Sequence, residues 1–296
     1  MSISPTPAAG WRSSANPSAM LRERIVTGIV LAAACLAALF WLPALGWATL
    51  AGCILALAAW EWAAFARCRT ARARTGYTVA TVVAFLGAAW LLRLASGATG
   101  TIALLPVYGA AIAFWLIVAP LWIWRRPSGM PSALLLALGW IVLLPAVLAL
   151  VHLRNFDPMV LLLFMALVWV ADIAAYFVGR RFGRFKLAPV VSPGKTWEGL
   201  AGAMAAAAVY AVVWTTVYPQ ATPAVLRDIP WSTGAMLLFV EVLTVLSVVG
   251  DLFESAMKRQ AGLKDSGALL PGHGGILDRI DALTPVLPAA ALLILI

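Results

Sequence analysis

Long apolar stretches separated by short polar segments make up most of this chain. Each stretch is about 18 to 22 residues long, enough to cross a hydrocarbon core of about 30 Å as a helix. The last of them is shorter. The pattern predicts an all-α polytopic membrane protein with about nine transmembrane helices, at roughly 25–45, 47–66, 77–95, 102–124, 133–152, 159–179, 199–218, 234–252 and 282–296.

Composition supports the membrane class. The chain is 63% hydrophobic and 11% charged, whereas soluble domains are about 25% charged. The first 20 or so residues are rich in Pro, Ser and Ala, and we interpret residues 1–24 as a cytoplasmic N-terminal tail rather than a cleaved signal. The isolated cysteines, Cys35, Cys53 and Cys68, form neither a disulfide framework nor a metal-ligand spacing.

The distribution of positive charge predicts the orientation. If alternate loops are assigned to opposite sides, 18 of the 21 Lys and Arg residues fall on the side of the N-terminus. The positive-inside rule makes that side cytoplasmic. Topology and attraction to anionic lipid therefore account for the net charge of +9 without any nucleic-acid partner. We expect a multi-pass protein of a bacterial-type inner (plasma) membrane.

One cytoplasmic loop, from Gly179 to Glu198, carries more than anchoring arginines. It ends with Ser192-Pro-Gly-Lys195-Thr196, directly before a predicted helix. Helix N-termini have unpaired N–H groups and attract anions, so the segment either caps the helix through Thr196 or Ser192 or contacts a substrate phosphate. A Walker-type nucleotide loop is disfavoured, because no glycine stands at the required upstream position.

The richest polar segment runs from Ser255 to Asp281. Its 27 residues contain four cations, three aspartates, one of the two histidines and several glycines. Such a cluster is costly beside a bilayer unless it binds something charged. The alternative interpretation is a solvated loop with incidental salt bridges.

Carboxylate spacing in this region suits a divalent cation. Asp278 and Asp281 are three positions apart, so on a helix they share one face. Mg²⁺ favours one or two carboxylates together with waters and phosphate oxygens. Just upstream, Asp251, Ser255 and Lys258 also fall on one helical face, at the end of the eighth predicted span. Asp251 would lie at the membrane edge, where an unpaired carboxylate is costly, so either a metal or a lysine would compensate it. It is a third candidate ligand.

Glycines and cations complete a phosphate-handling set. Glycines let the backbone approach phosphate oxygens and adopt positive φ, and cations neutralise charge on transferring phosphoryl groups. The glycines are Gly272, Gly274 and Gly275, and the cations are Lys258, Arg259, Lys264 and Arg279.

The segment resembles the C-terminal signature of the phosphatidate cytidylyltransferases, also called CDP-diacylglycerol synthases. The matching positions are Ser255, Lys258, Arg259, Lys264, Asp265, His273, Gly274, Gly275, Asp278, Arg279 and Asp281. The stretch Ser192–Gly199 is similar to a second conserved stretch of that family, with Gly194 in place of a frequent lysine. Asp172, Tyr176 and the Trp60-Glu61-Trp62 triplet also resemble family features. The resemblance covers roughly residues 160–282 well.

The resemblance implies that CTP and phosphatidic acid react to give CDP-diacylglycerol and pyrophosphate, with Mg²⁺ as cofactor and a second cation compatible with it. It also suggests a homodimer. Residues 25–152 would then be N-terminal transmembrane helices and residues 153–296 the catalytic transmembrane region.

Roles for individual residues follow from the same reasoning. The expected metal ligands are Asp251, Asp278 and Asp281. The expected catalytic residues are Lys258, Lys264, Asp265, His273 and Arg279. The expected substrate-binding residues are Ser192, Lys195, Thr196, Glu198, Ser255, Arg259, Gly274 and Gly275. For His273 a structural role in a turn stays open, and Asp265 either orients Lys264 or reaches the cytosine amine.

Two other classes compete with this interpretation. A secondary transporter would explain acidic residues inside spans, namely Glu61, Asp172 and Glu241, but transporters rarely need a loop so rich in phosphate-handling groups. Another membrane-embedded lipid nucleotidyltransferase or phosphotransferase is closer. The CDP-alcohol phosphotransferases are one example, but their Asp-Gly-x-x-Ala-Arg opening is missing here.

Overall fold

The computed structural model describes residues 17–94, 98–217, 233–267, 269 and 274–295. Structural statements below refer to these residues. The predicted catalytic residue His273, the neighbouring Gly272 and residues 1–16 of the predicted tail lie outside them.

Helices make up most of the described chain. The first half contains α1 (Pro17–Trp41), α2 (Ala44–Phe65), α3 (Ala71–Leu94), α4 (Ala98–Ala113), a π-helix (Phe114–Val118), α5 (Ala119–Arg125) and α6 (Ser132–Phe156). The second half contains α7 (Pro158–Phe182), α8 (Trp197–Val217), α9 (Thr233–Gln260), α10 (Leu277–Ile280) and α11 (Leu283–Leu295). Helix α1 begins inside the segment predicted as a tail.

The structure agrees with the predicted class, a helical membrane protein. Among the described residues, six helices are long and apolar enough to cross a membrane: Ala44–Phe65, Ala103–Arg125, Ser132–Phe156, Pro158–Phe182, Trp197–Thr216 and Gly234–Gln260. Two shorter apolar helices, Gly28–Trp41 and Leu283–Leu295, coincide with the first and last predicted spans. The remaining predicted span falls on α3.

The loop between α7 and α8 contains a feature that the sequence pattern did not predict. Strands β1 (Lys186–Ala188) and β2 (Ser192–Thr196) form an antiparallel hairpin, in which Lys186 pairs with Thr196 and Ala188 with Ser192. Strands this short carry no detectable alternation of apolar and polar residues. Pro193 is compatible with β2 because the strand belongs to a two-stranded sheet with open edges.

Proline and aspartate mark where α7 begins. Pro158 occupies the first turn, where a missing N–H costs nothing. Asp157 caps the helix, because its Oδ1 accepts a hydrogen bond from the Met159 N–H at 2.7 Å.

A buried aromatic cluster joins α9 to the N-terminal helices. Phe253 of α9, 1% exposed, lies 5.4 Å from Phe114 and 5.5 Å from Trp115, measured between ring centroids, in edge-on contacts. Trp62 of α2 stacks on the same Phe253 ring at 6.4 Å, and its indole N–H donates to the Leu135 carbonyl at 2.8 Å. Because aromatic pairs contribute beyond their buried area, the polar C-terminal end of α9 is held against α2.

Candidate active site

The C-terminal half of α9 presents the polar face that the spacing predicted. The Ser255 hydroxyl donates to Asp251 Oδ1 at 3.3 Å, one helical turn away. On the same helix, Lys258 Nζ lies 2.5 Å from Glu254 Oε2, and Glu254 is only 4% exposed. A buried carboxylate needs such a partner, because desolvation otherwise destabilises its charge.

Lys258 also reaches across to α10. Its Nζ lies 2.5 Å from Asp278 Oδ1. The other oxygen, Oδ2, accepts hydrogen bonds from the Gly275 N–H at 2.8 Å, the Ser266 hydroxyl at 2.9 Å and the Ser266 N–H at 3.0 Å. Asp278 therefore joins α9 to two points of the loop that precedes α10.

These bonds determine the charge state of Asp278. Burial by itself would raise the pKa of this carboxyl, but the hydrogen bonds from Lys258, Gly275 and Ser266 outweigh burial and lower the pKa to about 2. The group is thus an anion at neutral pH.

The hairpin contributes a second lysine–carboxylate pair. Lys195 of β2 places Nζ 2.6 Å from Asp251 Oδ2. Asp172 of α7 lies within electrostatic range of both residues. The pair joins the hairpin to the polar face of α9, close to the Glu254–Lys258–Asp278 group.

The residues around Lys195 have defined structural contacts. The Thr196 hydroxyl accepts a hydrogen bond from the Gly199 N–H at 3.1 Å, the contact that the capping interpretation predicts for this residue. The Glu198 carboxylate accepts from the Phe185 N–H at 3.2 and 3.3 Å, and so ties α8 to the start of the hairpin.

Asp281 lies beside Asp251. A side chain at Gly250 would collide with the Asp281 carbonyl oxygen, so α9 and the chain after α10 are in direct contact there. Burial raises the pKa of Asp281, and the neighbouring Asp251 carboxylate raises it further. Two carboxylates that repel each other are a place where a cation stabilises the charged forms.

The fit to a divalent cation is partial. Within the described part of the chain, no three His, Cys, Asp or Glu side chains are arranged to hold a metal ion. Both Asp278 oxygens have protein donors, and Asp251 is paired with Lys195. Asp251 and Asp281 nevertheless supply neighbouring hard oxygen donors of the kind that Mg²⁺ takes, one or two at a time, beside waters and phosphates.

The other predicted site residues in the described part of the chain differ in their surroundings. Lys264, Asp265 and Arg279 are exposed. Arg259 lines a cleft with Arg126 between the hairpin and the end of α9. Gly274 has a positive φ of 79°, a conformation that a glycine adopts without strain, and the Gly275 N–H donates to Asp278.

Sequence reasoning assigned no role to three members of the cluster. Glu254 pairs with Lys258, and Ser266 bonds Asp278. Glu61 of α2 accepts hydrogen bonds from the backbone N–H groups of Ile276 and Leu277, directly before Asp278. The available signal for Glu61 was its position, because an acidic residue inside an apolar span is costly.

Known proteins resemble this chain over most of its length. A phosphatidate cytidylyltransferase of Pseudomonas aeruginosa is 40% identical over 286 residues, which cover 93% of this chain and 97% of that protein. The enzyme of the same name from Haemophilus influenzae is 38% identical over 285 residues, covering 91% and 96%. That from Brucella suis is 39% identical over 286 residues, covering 93% and 92%. The model of the cytidylyltransferase family matches residues 22–296, and the chain therefore belongs to that family.

Proposed function

We propose that this protein transfers the cytidylyl group of CTP to phosphatidic acid, giving CDP-diacylglycerol and pyrophosphate for phospholipid synthesis. The Pseudomonas and Haemophilus relatives that carry this enzyme's name match more than nine-tenths of the chain. The observation that carries the proposal in the structure is the meeting of two lysine–carboxylate pairs, Lys195–Asp251 and Lys258–Asp278, on one end of α9. Such a cluster suits two anionic substrates that must be brought together.

The reaction needs positioning more than acid–base chemistry. The phosphate oxygen of phosphatidic acid is already anionic, so no protein base has to create the nucleophile. That oxygen forms a bond to the α-phosphorus of CTP while the bond from the α-phosphorus to the bridging oxygen breaks, and pyrophosphate leaves with the electron pair. Catalysis then consists of orienting the two substrates and stabilising phosphate charge.

The chain's own cations supply that stabilisation. Lys195 and Lys258 are held by carboxylates, so their ammonium groups are fixed in place. Lys264, Arg259 and Arg279 would bind phosphates, and His273 would donate to the leaving pyrophosphate. Ser192 and Ser255 would offer hydroxyl contacts to substrate oxygens.

Mg²⁺ is the expected cofactor, and its proposed ligands are Asp251, Asp278 and Asp281. A second cation is compatible with this proposal. When bound, Mg²⁺ would neutralise charge on the CTP phosphates. Asp281 lies beside Asp251, and a bound cation would offset the repulsion between these two carboxylates.

The direct test is an assay of purified protein in detergent with labelled CTP and phosphatidic acid, with and without Mg²⁺. We expect a lipid-soluble CDP-diacylglycerol product that requires both substrates and the metal. Lys258→Met should lose most of this activity, whereas Lys186→Met, at an exposed position of β1, should keep it. Transfer to a different acceptor only, or no transfer, would contradict the proposal.

A second experiment tests the route of transfer. A single in-line displacement inverts configuration, so CTP made chiral at the α-phosphorus should give product with inverted stereochemistry. A covalent nucleotidyl-enzyme would need an activated nucleophile with a base in reach. Net retention, or labelled enzyme after incubation with CTP alone, would contradict direct transfer.

We further propose nine spans, a cytoplasmic N-terminus and a cytoplasmic active site in a bacterial-type inner membrane, as the charge distribution favours. A phosphatase reporter that is active only outside the cytoplasm should give signal when fused after Arg227 and none when fused after Lys264. The reverse pattern would place the site on the wrong side for CTP.

A homodimer is a separate prediction, which rests on family resemblance alone. Light scattering of the detergent complex, corrected for bound detergent, should give twice the 31.4 kDa mass of the chain. A mass of one chain would contradict it.

A further inference from the structure

Glu61 occupies a position that is unfavourable for an acidic residue. It lies in the apolar helix α2, about one turn before the C-terminal residue Phe65, and is only 5% exposed. Burial in an apolar span penalises a carboxylate, and so does the negative end of the helix dipole. Compensation must therefore come from specific partners.

Those partners all belong to the polar region more than 200 residues later. Glu61 Oε1 accepts a hydrogen bond from the Ile276 N–H at 3.0 Å. Its Oε2 accepts from the Leu277 N–H at 2.9 Å and lies 2.8 Å from the Ser266 hydroxyl. Hydrogen bonds to a charged acceptor are stronger than neutral ones.

The loop is shaped to admit this carboxylate. A side chain at Gly267 or Gly275 would collide with the Glu61 carboxylate, so only glycine allows the backbone to come this close. On the α2 side, the adjacent Trp62 is fixed by its bond to the Leu135 carbonyl and its stacking on Phe253. The Glu61 carboxylate thus projects from a well-packed part of α2 into a space that the loop glycines leave open.

We propose that Glu61 is a positioning residue for cytidylyl transfer: it fixes the loop so that Asp278 meets Lys258. This inference rests on the function proposed above. The link passes through Ser266, whose hydroxyl lies between Glu61 and Asp278 at 2.8 and 2.9 Å. It also passes through the N–H groups of Ile276 and Leu277, directly before Asp278 in the chain. Glu61 need not touch either substrate.

Glu61→Gln tests this with little change of shape, because it replaces one acceptor oxygen by an NH₂ group that faces an N–H donor. We expect kcat to fall at least about tenfold, the size typical when a supporting partner of a site is removed. KM for CTP should stay within about threefold, since no substrate contact is lost. Glu241→Gln, at another acidic position within an apolar helix, is the matched control and should change neither constant.

Hydrogen–deuterium exchange on the full-length protein in detergent gives a readout that does not depend on activity. In Glu61→Gln, the peptide covering residues 274–280 should exchange faster, because one of the two N–H groups, that of Ile276 or that of Leu277, loses its acceptor oxygen. A peptide covering the hairpin, residues 185–196, should not change. Faster exchange in both peptides would indicate general loosening and overturn the proposal.

Ser266→Ala is a milder second variant, since it removes the hydroxyl between the two carboxylates and leaves the backbone bonds in place. We expect a several-fold fall in kcat. In the double variant Glu61→Gln/Ser266→Ala, kcat should fall by less than the product of the two single effects, as is expected for residues that act as a unit. Unchanged kcat in folded Glu61→Gln, or unchanged exchange at 274–280, would also overturn the proposal. If the wild type lacked cytidylyl transfer, the proposed function would fail, while the exchange result would still decide whether Glu61 holds the loop.

Discussion

Two polar connections build the candidate site, and they are ordered in different ways. The hairpin of β1 and β2 pairs its own backbone, and its Lys195 side chain leaves it to meet Asp251. In the C-terminal loop, the described residues 261–267 and 274–276 instead bond to carboxylates at two points, Glu61 and Asp278. In the hairpin, the backbone holds the two strands together and the Lys195 side chain forms the ion pair. In the C-terminal loop, the Asp278 carboxylate does both: it accepts the hydrogen bonds that hold the loop and forms the ion pair with Lys258.

This difference has an energetic consequence. Removing one partner of a buried charge pair is costly, because the other charge is left uncompensated. Backbone pairing in the hairpin does not depend on any side-chain charge. Substitutions that remove a charged side chain should therefore lower both stability and kcat when they are made in the C-terminal loop. In the hairpin, they should lower mainly kcat.

Asp278→Asn should have the largest effect. The amide keeps the size but loses the ion pair with Lys258, and it cannot accept from all the donors that now face the carboxylate. We expect kcat to fall by about 10²–10³-fold, with a lower thermal unfolding temperature, measured on the same detergent-solubilised sample.

Asp265→Asn is the control for this prediction, because Asp265 is exposed in the same loop. Its effect on kcat should be much smaller and its unfolding temperature unchanged. Equal losses in the two variants would mean that loop charge in general, rather than the Asp278 contacts, carries the effect.

Lys195→Met should lower kcat by about 10- to 100-fold, since a cation next to Asp251 is removed. The unfolding temperature should change little, because the hairpin ladder is made by the backbone. Lys186→Met, exposed on the facing strand, should leave both quantities unchanged. A large loss of stability in Lys195→Met would show that the hairpin depends on charge in the same way as the C-terminal loop.

Gly250→Ala tests the contact that brings Asp281 beside Asp251. The added methyl would meet the Asp281 carbonyl and the Pro285 ring, and such overpacking costs about 1–3 kcal/mol. We expect lower stability and a smaller fall in kcat than in the charge variants. Gly194→Ala, where nothing lies within 4 Å of the new methyl, should alter stability by less than about 0.5 kcal/mol. Similar results at both positions would contradict the close contact.

Thr196→Val should have the smallest effect on turnover. It removes the hydroxyl that caps α8, which costs about 1 kcal/mol of stability, and it should leave KM for CTP unchanged. Thr215→Val, whose hydroxyl bonds the Ala211 carbonyl within the same helix, serves as a control and should cost less. A raised KM at unchanged stability would favour the substrate-phosphate role for Thr196 instead.

The sequence by itself determined the class of the protein and singled out the polar residues of α9 that form part of the candidate site. Apolar stretches of membrane-spanning length predicted a helical membrane protein, because every backbone polar group in lipid must be satisfied within the helix. The i, i+4 and i+7 spacing predicted that Asp251, Ser255 and Lys258 share a face of α9, and Ser255 does bond Asp251. Helical periodicity is local, so it can be deduced without knowing what the helix packs against.

Only the tertiary structure decided which charges meet. Lys195 could have paired with several acidic residues, and the structure pairs it with Asp251. Asp278 bonds to Lys258 and Ser266, a pairing that its spacing from Asp281 did not predict. The hairpin is likewise too short to leave a periodic signal. Glu61 bonds residues more than 200 positions away. Such pairings depend on how the helices pack, and spacing along the chain carries no information about contacts between distant segments.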